Sequence, residues 1–376
     1  MEFKVNSKEL EKLLSKIIPA VPTRTPMPIL ENFLFEVKDG VLTIYATDLE
    51  ISLKSSLSIV ADENIKMVVP ARLLNDVVRS LKETTIHFKL MSNKKINLVT
   101  DTGKYTISYL DADEFPEIPS VDTDKNAKDI NQVTMNGMDL RLAFEKCAFA
   151  MSKEEMRPAM MGTLFEFTDD GLRLVATDGH RLVNMLNKNV KAAYNQQYVV
   201  PERAVSVLMK VLDEKDVKIN LTKAYVSFKL NDMELITRLI AQKYPDYASV
   251  IPLENEFDMK INTKDIHDSI KRMMLFSTSS TRRVKFSIKS DMLEISAEDL
   301  DIGASGEEKV VCEYKGDDLE IGFNSAYVND ILSHMSSEDE IIFKLHSATK
   351  AVVIEPVQKK ENLDLMMLLM PVRLNT

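Results

Sequence analysis

The sequence predicts an α+β protein of three similar domains, each with two helices packed on antiparallel sheets, and three observations predict it. One short strand recurs three times. Residues 41–50 read Val-Leu-Thr-Ile-Tyr-Ala-Thr-Asp-Leu-Glu, residues 172–182 read Leu-Arg-Leu-Val-Ala-Thr-Asp-Gly-His-Arg-Leu, and residues 292–300 read Met-Leu-Glu-Ile-Ser-Ala-Glu-Asp-Leu. The same elements also surround each copy in the same order, which chance similarity of one strand would not produce. A strand ending in a polar hairpin turn comes before each copy (32–40, 162–171, 284–291), and a Pro or Asn introduces a later amphipathic helix (69–72, 199–203, 322–325). Finally, two Pro-rich polar stretches, 115–126 and 244–252, separate the copies. Asp48, Asp178 and Asp299 recur about every 125 residues, a common domain size, so the expected boundaries are 1–120, 128–250 and 256–376.

The 376 residues, 45% hydrophobic and 28% charged, suffice for real cores. Residues 1–8 carry no long apolar run, and the longest apolar patch, 365–372, is too short to span a bilayer. A cytoplasmic protein with no membrane partner is expected. Cys147 and Cys312 lie in different repeats, which argues against a disulfide framework and for two buried small hydrophobes. The net charge of −10 argues against gripping a polyanion with the whole surface, but a sum is blind to placement.

In the first repeat the pattern predicts strand 2–5, then helix 7–18 with Ser7 as N-cap and Leu10, Leu13, Leu14, Ile17 and Ile18 as its apolar stripe. Loop 19–28 carries Arg24, and three strands follow through Val60. Strand 65–69 leads to helix 71–81, which exposes Arg72, Arg79 and Lys82, and strands 85–90, 95–100 and 104–110 close the repeat. The middle repeat has helix 138–151, with Arg141 and Lys146 outside, loop 152–159, and helix 202–212. The third has helices 263–276 and 325–334, with Arg282 and Arg283 just beyond the first of them. Each repeat thus holds two helices and roughly eight strands, as sheets packed against a helical layer require. Helices with charged outer stripes, gathered on one side of an arc, would make a basic inner face while the acidic excess lies elsewhere.

Catalytic and metal chemistry find little support. His180 beside Asp178 has no Ser or Cys nucleophile motif with it, and residues 303–306, Gly-Ala-Ser-Gly, are not the strand-turn-helix nucleophile pattern. The five histidines show no paired ligand spacing, and Gly103-Lys104 lacks the upstream glycine of a phosphate-binding loop. No enzyme, metal or cofactor is expected. Two rivals stay open: a hydrolase using Asp178 and His180, and a protein-only scaffold that never meets a polyanion.

The threefold unit, Ala-Thr-Asp-Gly-His-Arg-Leu at 176–182, Met-Pro-Ile-Leu at 27–30 and Met-Pro-Val-Arg-Leu at 370–374 together resemble the bacterial DNA polymerase III β subunits, the sliding-clamp family, over the whole chain. The resemblance implies a head-to-tail homodimer, a ring of six similar domains that encircles double-stranded DNA without reading its sequence and tethers the polymerase. Its implied partners are the catalytic subunit of DNA polymerase III, the clamp loader and other proteins carrying a clamp-binding motif. Twelve helices of about 10 Å side by side leave an opening of roughly 28 Å, enough for B-DNA and a layer of water.

Arg24, Lys153 and Arg157 are then expected to contact or centre DNA, with Arg72, Arg79, Arg203 and Arg282. Glu154 and Glu155 place carboxylates in that loop, and Pro158 and Ala159 stand where some relatives have aromatic residues. A partner-peptide pocket is implied at Met160, Thr177, Gly179, His180, Arg181, Leu182, Pro245, Val250, Met370, Pro371, Val372, Arg373 and Leu374. Its apolar trough would carry Thr177, His180 and Arg181 at the rim, with Ser249 where some relatives have a basic residue and Asn375-Thr376 beyond the usual end. Ring closure is assigned to Leu275 and Phe276, with Glu307 and Glu308 facing Lys94, Lys95 and Lys104 of the other subunit.

Overall fold

A computed structural model of the chain describes residues 2–61, 63–121, 130–278 and 280–374. Part of the expected first linker and the terminal Asn375 and Thr376 lie outside the described residues.

The first repeat runs β1 (Glu2–Asn6), α1 (Ser7–Ile17), β2 (Asn32–Lys38), β3 (Val41–Thr47), β4 (Ile51–Ser58), β5 (Val60–Ala61), β6 (Ile65–Pro70), α2 (Ala71–Ser80), β7 (Thr85–Leu90), β8 (Lys95–Val99) and β9 (Lys104–Ser108). The second runs β10 (Asn131–Asn136), α3 (Gly137–Cys147), β11 (Gly162–Thr168), β12 (Gly171–Thr177), β13 (Arg181–Asn187), β14 (Gln196–Pro201), α4 (Glu202–Val211), β15 (Asp216–Leu221), β16 (Tyr225–Lys229) and β17 (Met233–Arg238). The third runs β18 (Phe257–Asn262), α5 (Thr263–Met273), β19 (Arg283–Lys289), β20 (Met292–Asp299), β21 (Ala304–Tyr314), β22 (Leu319–Asn324), α6 (Ser325–Met335), β23 (Glu340–Leu345), β24 (Val352–Pro356) and β25 (Leu363–Leu369).

Local chemistry explains the boundaries. The Asn6 side chain, not Ser7, caps α1 by accepting from the Lys8 and Glu9 amides; Ser7 is buried, and its hydroxyl donates to the Lys82 carbonyl. Asn262 caps α5 in the same way, and the Asn136 side chain accepts from Met138 N at the start of α3. The first helix of each repeat stops earlier than the apolar pattern suggests and tightens into a 3-10 turn, at Ile18–Ala20, Ala148–Ala150 and Met274–Phe276. In the first of these Pro19 lacks the N–H that another α-turn needs. Asp39 and Gly40, at φ of 52° and 75°, form the two-residue hairpin turn between β2 and β3.

Contacts divide the chain into two compact units, Met1–Arg141 with Arg203–Leu239 and Leu142–Glu202 with Ile240–Thr376, so each unit holds one half of the middle repeat. The first unit contains a five-stranded sheet, β5-β1-β7-β8-β9, and an eight-stranded one, β10-β15-β16-β17-β4-β3-β2-β6; the second contains a twelve-stranded sheet, β14-β11-β12-β13-β25-β24-β23-β18-β21-β20-β19-β22. Each larger sheet joins strands of two repeats. β4 takes β17 from Ser55↔Met233 to Ile51↔Thr237, and β13 takes β25 from Arg181↔Leu369 to Asn187↔Leu363. Alternating Phe, Leu, Ile and Val on the inner faces build the cores, and the Phe3 and Phe88 rings stack with centroids 4.6 Å apart. No helix among the described residues is long and apolar enough to cross a membrane.

Candidate functional site

The turn between β12 and β13 is fixed by its own polar atoms. Asp178 Oδ1 accepts from the His180 and Arg181 amides at 2.9 and 3.1 Å, while Thr177 Oγ1 donates to the Arg181 carbonyl at 2.7 Å and accepts from Gly179 N at 3.1 Å. Gly179 sits at φ 90°, a left-handed conformation that favours glycine, and a Cβ there would lie 3.1 Å from Arg157 Nη1. Asp178 is therefore occupied by backbone and by Arg181 rather than orienting the His180 ring for catalysis.

Arg181, expected at a polar rim, is only 9% exposed. Its guanidinium donates to Asp178 at 3.0 Å, to Asp330 of α6 at 2.5 Å and to the Phe149 carbonyl at 2.9 Å. It also lies between the rings of Phe149 and Tyr327, 5.1 and 4.7 Å from their centroids. His180 stacks outside Tyr327 at 5.7 Å, and His334 stacks on Phe149 at 4.0 Å. Five flat groups from the turn, α6 and the 3-10 turn behind α3 thus lie together, each within contact of the next. Lys146, expected outside, is buried beneath it and donates to the His334 carbonyl and the Ser337 hydroxyl; burial holds its ammonium below the ordinary lysine value.

Around the turn lies an apolar bed of Leu164, Val175, Leu182, Val199, Tyr244 and Leu368, with Tyr247 and Ile251 packed against it. Met160 and Leu182 are floor rather than wall. The accessible surface comes from exposed Pro245, from Val250 at 52% and from Met370 at 39% exposure. Met370 N donates to the His180 carbonyl at 2.8 Å, and Val372 bridges Gly322 of β22. A Cβ on Gly322 would come within 2.8 Å of Leu374 Cδ2, so that glycine admits the terminal segment. Half-buried Pro371 and exposed Arg373 complete the run, and Ser249 donates back to the Asp246 carbonyl. Tyr327 belongs to this constellation although the sequence reading missed it; a lone Tyr on a helix gives no signal until the turn opposite is placed.

Among the basic candidates, Arg24, Arg79 and Lys153 are exposed, as is Arg282 at φ 46°. Arg157 is exposed and pairs with Glu154 at 3.3 Å, and Pro158 and Ala159 lie in the 3-10 turn Pro158–Met161. Arg72 reaches the Val21 and Pro22 carbonyls only at 3.4 and 3.3 Å. Arg203 is engaged within the chain: Nε donates to Asp48 Oδ2 at 3.0 Å and Nη2 to the Pro19 carbonyl at 2.6 Å.

Of the closure candidates, Leu275 is 75% exposed, while Phe276 is half-buried and would meet a Cβ on Gly306 at 2.8 Å. Lys94 is already held by Asp111 at 2.5 Å. Arg272 grips Glu308 with two bonds of 2.5 and 2.6 Å and holds its carboxyl below the usual range, so Lys94 and Glu308 each already have a partner within the chain. Glu307, Lys95 and Lys104 remain exposed.

Family models for the N-terminal, central and C-terminal domains of the DNA polymerase III beta subunit match residues 1–119, 134–246 and 248–373. The chain belongs to that family. The beta sliding clamp of Vibrio cholerae is 27% identical over 378 residues, covering 100% of both chains. Crystal structures of the Pseudomonas aeruginosa sliding clamp and the Thermotoga maritima DNA polymerase III beta subunit, each 26% identical, superpose with TM-scores of 0.92 and 0.89 over 100% of both chains. The three-domain α+β architecture is therefore that of the family, and the chain is a non-catalytic sliding-clamp subunit serving polymerase processivity.

Two arginines separate structural from surface charge. Arg181→Met should lower unfolding stability by about 3 kcal/mol, because it leaves Asp178 and Asp330 without their cation. Arg157→Ala, which removes an exposed pair, should shift it by less than about 0.5 kcal/mol. Urea melts of both variants check the contrast.

Proposed function

We propose that two copies close head to tail into a ring around duplex DNA, in the cytoplasm, and hold partner proteins by short peptides seated on the Thr177–Leu182 turn and the Met370–Leu374 segment. The observation that carries closure is the strand arithmetic of the repeat. β4 and β13 are corresponding strands, and each takes the last strand of the following repeat, β17 and β25. Their counterpart β21 pairs with β20 along its length but meets β18 only at residues 312–314, leaving the edge of 304–311 open among the described residues. β9, the counterpart of β17, pairs among the described residues only with β8. An open edge and a last strand paired on one side in one chain fit each other in a second copy, a heterologous contact that closes when the rotation is right.

Strand pairing across the longer third turn makes Ser305 the counterpart of Ser52, so carrying the register Ser52↔Ile236 forward by the repeat puts Ser305 opposite Thr106 of the partner subunit. Exposed Glu307 and Lys104 lie on these edges, exposed Lys95 starts β8 beside β9, and exposed Leu275 belongs to the turn whose Phe276 packs on Gly306 of β21. In such a ring topology supplies persistence, and the exposed Arg24, Arg79, Lys153, Arg157 and Arg282 need only centre the phosphates through screened contacts that carry no sequence information. A net charge of −10 is then an advantage, since the outer surface does not bind DNA.

The apolar bed flanked by Pro245, Val250 and Met370, with the His180 and Tyr327 rings beside it, supports recognition of the short hydrophobic ends of partner peptides. The polymerase catalytic subunit, the clamp loader and other proteins with such ends would compete for it, and two sites per ring would let two partners bind at once.

Oxidation of a chain carrying both Ser305→Cys and Thr106→Cys should give covalent dimers, since Cys147 and Cys312 are buried; recovery of monomer alone contradicts the register. Truncation after Leu369 should leave the melting curve nearly unchanged yet abolish binding of a Gln-Leu-x-Leu-Phe-like peptide in a fluorescence titration. Undiminished binding removes the site.

A further inference from the structure

The repeated aspartate accepts the same backbone bond at the end of the repeated strand three times, in a turn that is longer in the third repeat. Asp48 Oδ1 accepts from Glu50 N at 3.1 Å, Asp178 Oδ1 from His180 N at 2.9 Å and Asp299 Oδ1 from Asp301 N at 3.0 Å. In the first two repeats one guanidinium then ties the remaining carboxylate oxygen to the central carbonyl of the 3-10 turn behind it. Arg203 joins Asp48 Oδ2 to Pro19 O, and Arg181 joins Asp178 Oδ2 to Phe149 O, in both cases through Nε and Nη2. The arginines come from different elements, α4 in one case and the turn itself in the other, where Asp330 of α6 completes the contact. What is common is the pair of acceptors.

In the third repeat the corresponding acceptors are Asp299 Oδ2 and the carbonyl of Leu275, central in the turn Met274–Phe276. No ion pair reaches Asp299 among the described residues, and Leu275 is exposed. One arginine is also left over. Arg203 is the second residue of α4, directly after Pro201, and Arg72 is the second residue of α2, directly after Pro70. Arg72 is exposed, with only the two long bonds to Val21 and Pro22.

We propose that Arg72 of the partner subunit clamps Asp299 and the Leu275 carbonyl, making the subunit junction the third instance of the contact that joins consecutive repeats within the chain. The proposal rests on the head-to-tail reading above and assigns Arg72 to the second copy of the chain rather than to DNA. The strand edges supply the backbone pairing of the junction; the guanidinium supplies a charged bond desolvated only on assembly, so it sets register and slows dissociation.

Sedimentation equilibrium of the full chain tests this with Arg72→Glu, Asp299→Arg and the double variant, and with Arg72→Lys as a milder change at the exposed helix position. Each reversal should raise the dimer Kd about tenfold or more, the double variant should recover most of that loss, and Arg72→Lys should fall between wild type and Arg72→Glu because it keeps charge but loses the fork. A wild-type dimer whose Kd is indifferent to all four changes, or a double variant no better than the singles, overturns the clamp while leaving the ring intact. A wild type monomeric at every concentration overturns the head-to-tail reading and the clamp with it. Weaker DNA retention by Arg72→Glu at an unchanged dimer Kd returns Arg72 to the DNA and also overturns it.

Discussion

Everything in the proposed peptide site depends on the pairing of β13 with β25. Seven residue pairs, from Arg181↔Leu369 to Asn187↔Leu363, join strands nearly two hundred residues apart in sequence and leave no freedom in how the end of the chain meets the Thr177–Leu182 turn. A slip of one residue would turn every side chain of β25 to the other face, taking Leu365, Met367 and Leu369 out of the core. With the register fixed, Met370 N meets the His180 carbonyl and the last residues run on to Gly322. The guanidinium of Arg181 pins the same turn from the side, so backbone pairing and side-chain charge specify one geometry.

The same device recurs inside each compact unit. Where consecutive repeats meet, each contributes a strand to a shared sheet, and an aspartate at the end of the repeated strand is tied by arginine to a carbonyl nearby. Such a joint has few alternatives, because breaking it strands both an open sheet edge and a partly buried carboxylate. The helices are freed from holding repeats together and can present charge. Placement thus outweighs total: a chain at −10 can still offer Arg24, Arg79 and Lys153 at exposed positions.

Much of this was legible in the sequence. Period-two strands, Asn and Pro before helices, and the recurring Ala-Thr-Asp gave the element order, because those signals are local. What escaped depended on pairs distant in sequence. Arg181 reads as a rim residue because it follows Gly-His in a turn, and only Asp330, far along the chain, reveals it as buried. Arg203 looks like a free helix cation until Asp48 is set beside it, and Lys146 looks exposed until α6 ends above it. Ser7 and Asn6 are both good caps, and the choice fell to Asn6 because tertiary packing buries Ser7.

The most direct measurement is the lifetime of the loaded protein on nicked circular DNA and on the same DNA after linearisation, across a salt series. A ring held by topology predicts retention on the circle through salt that dissolves phosphate contacts, and rapid loss once an end is cut. Equal release rates from circular and linear DNA, both falling steeply with salt, would mean that surface charge holds this protein on DNA, and would contradict the account.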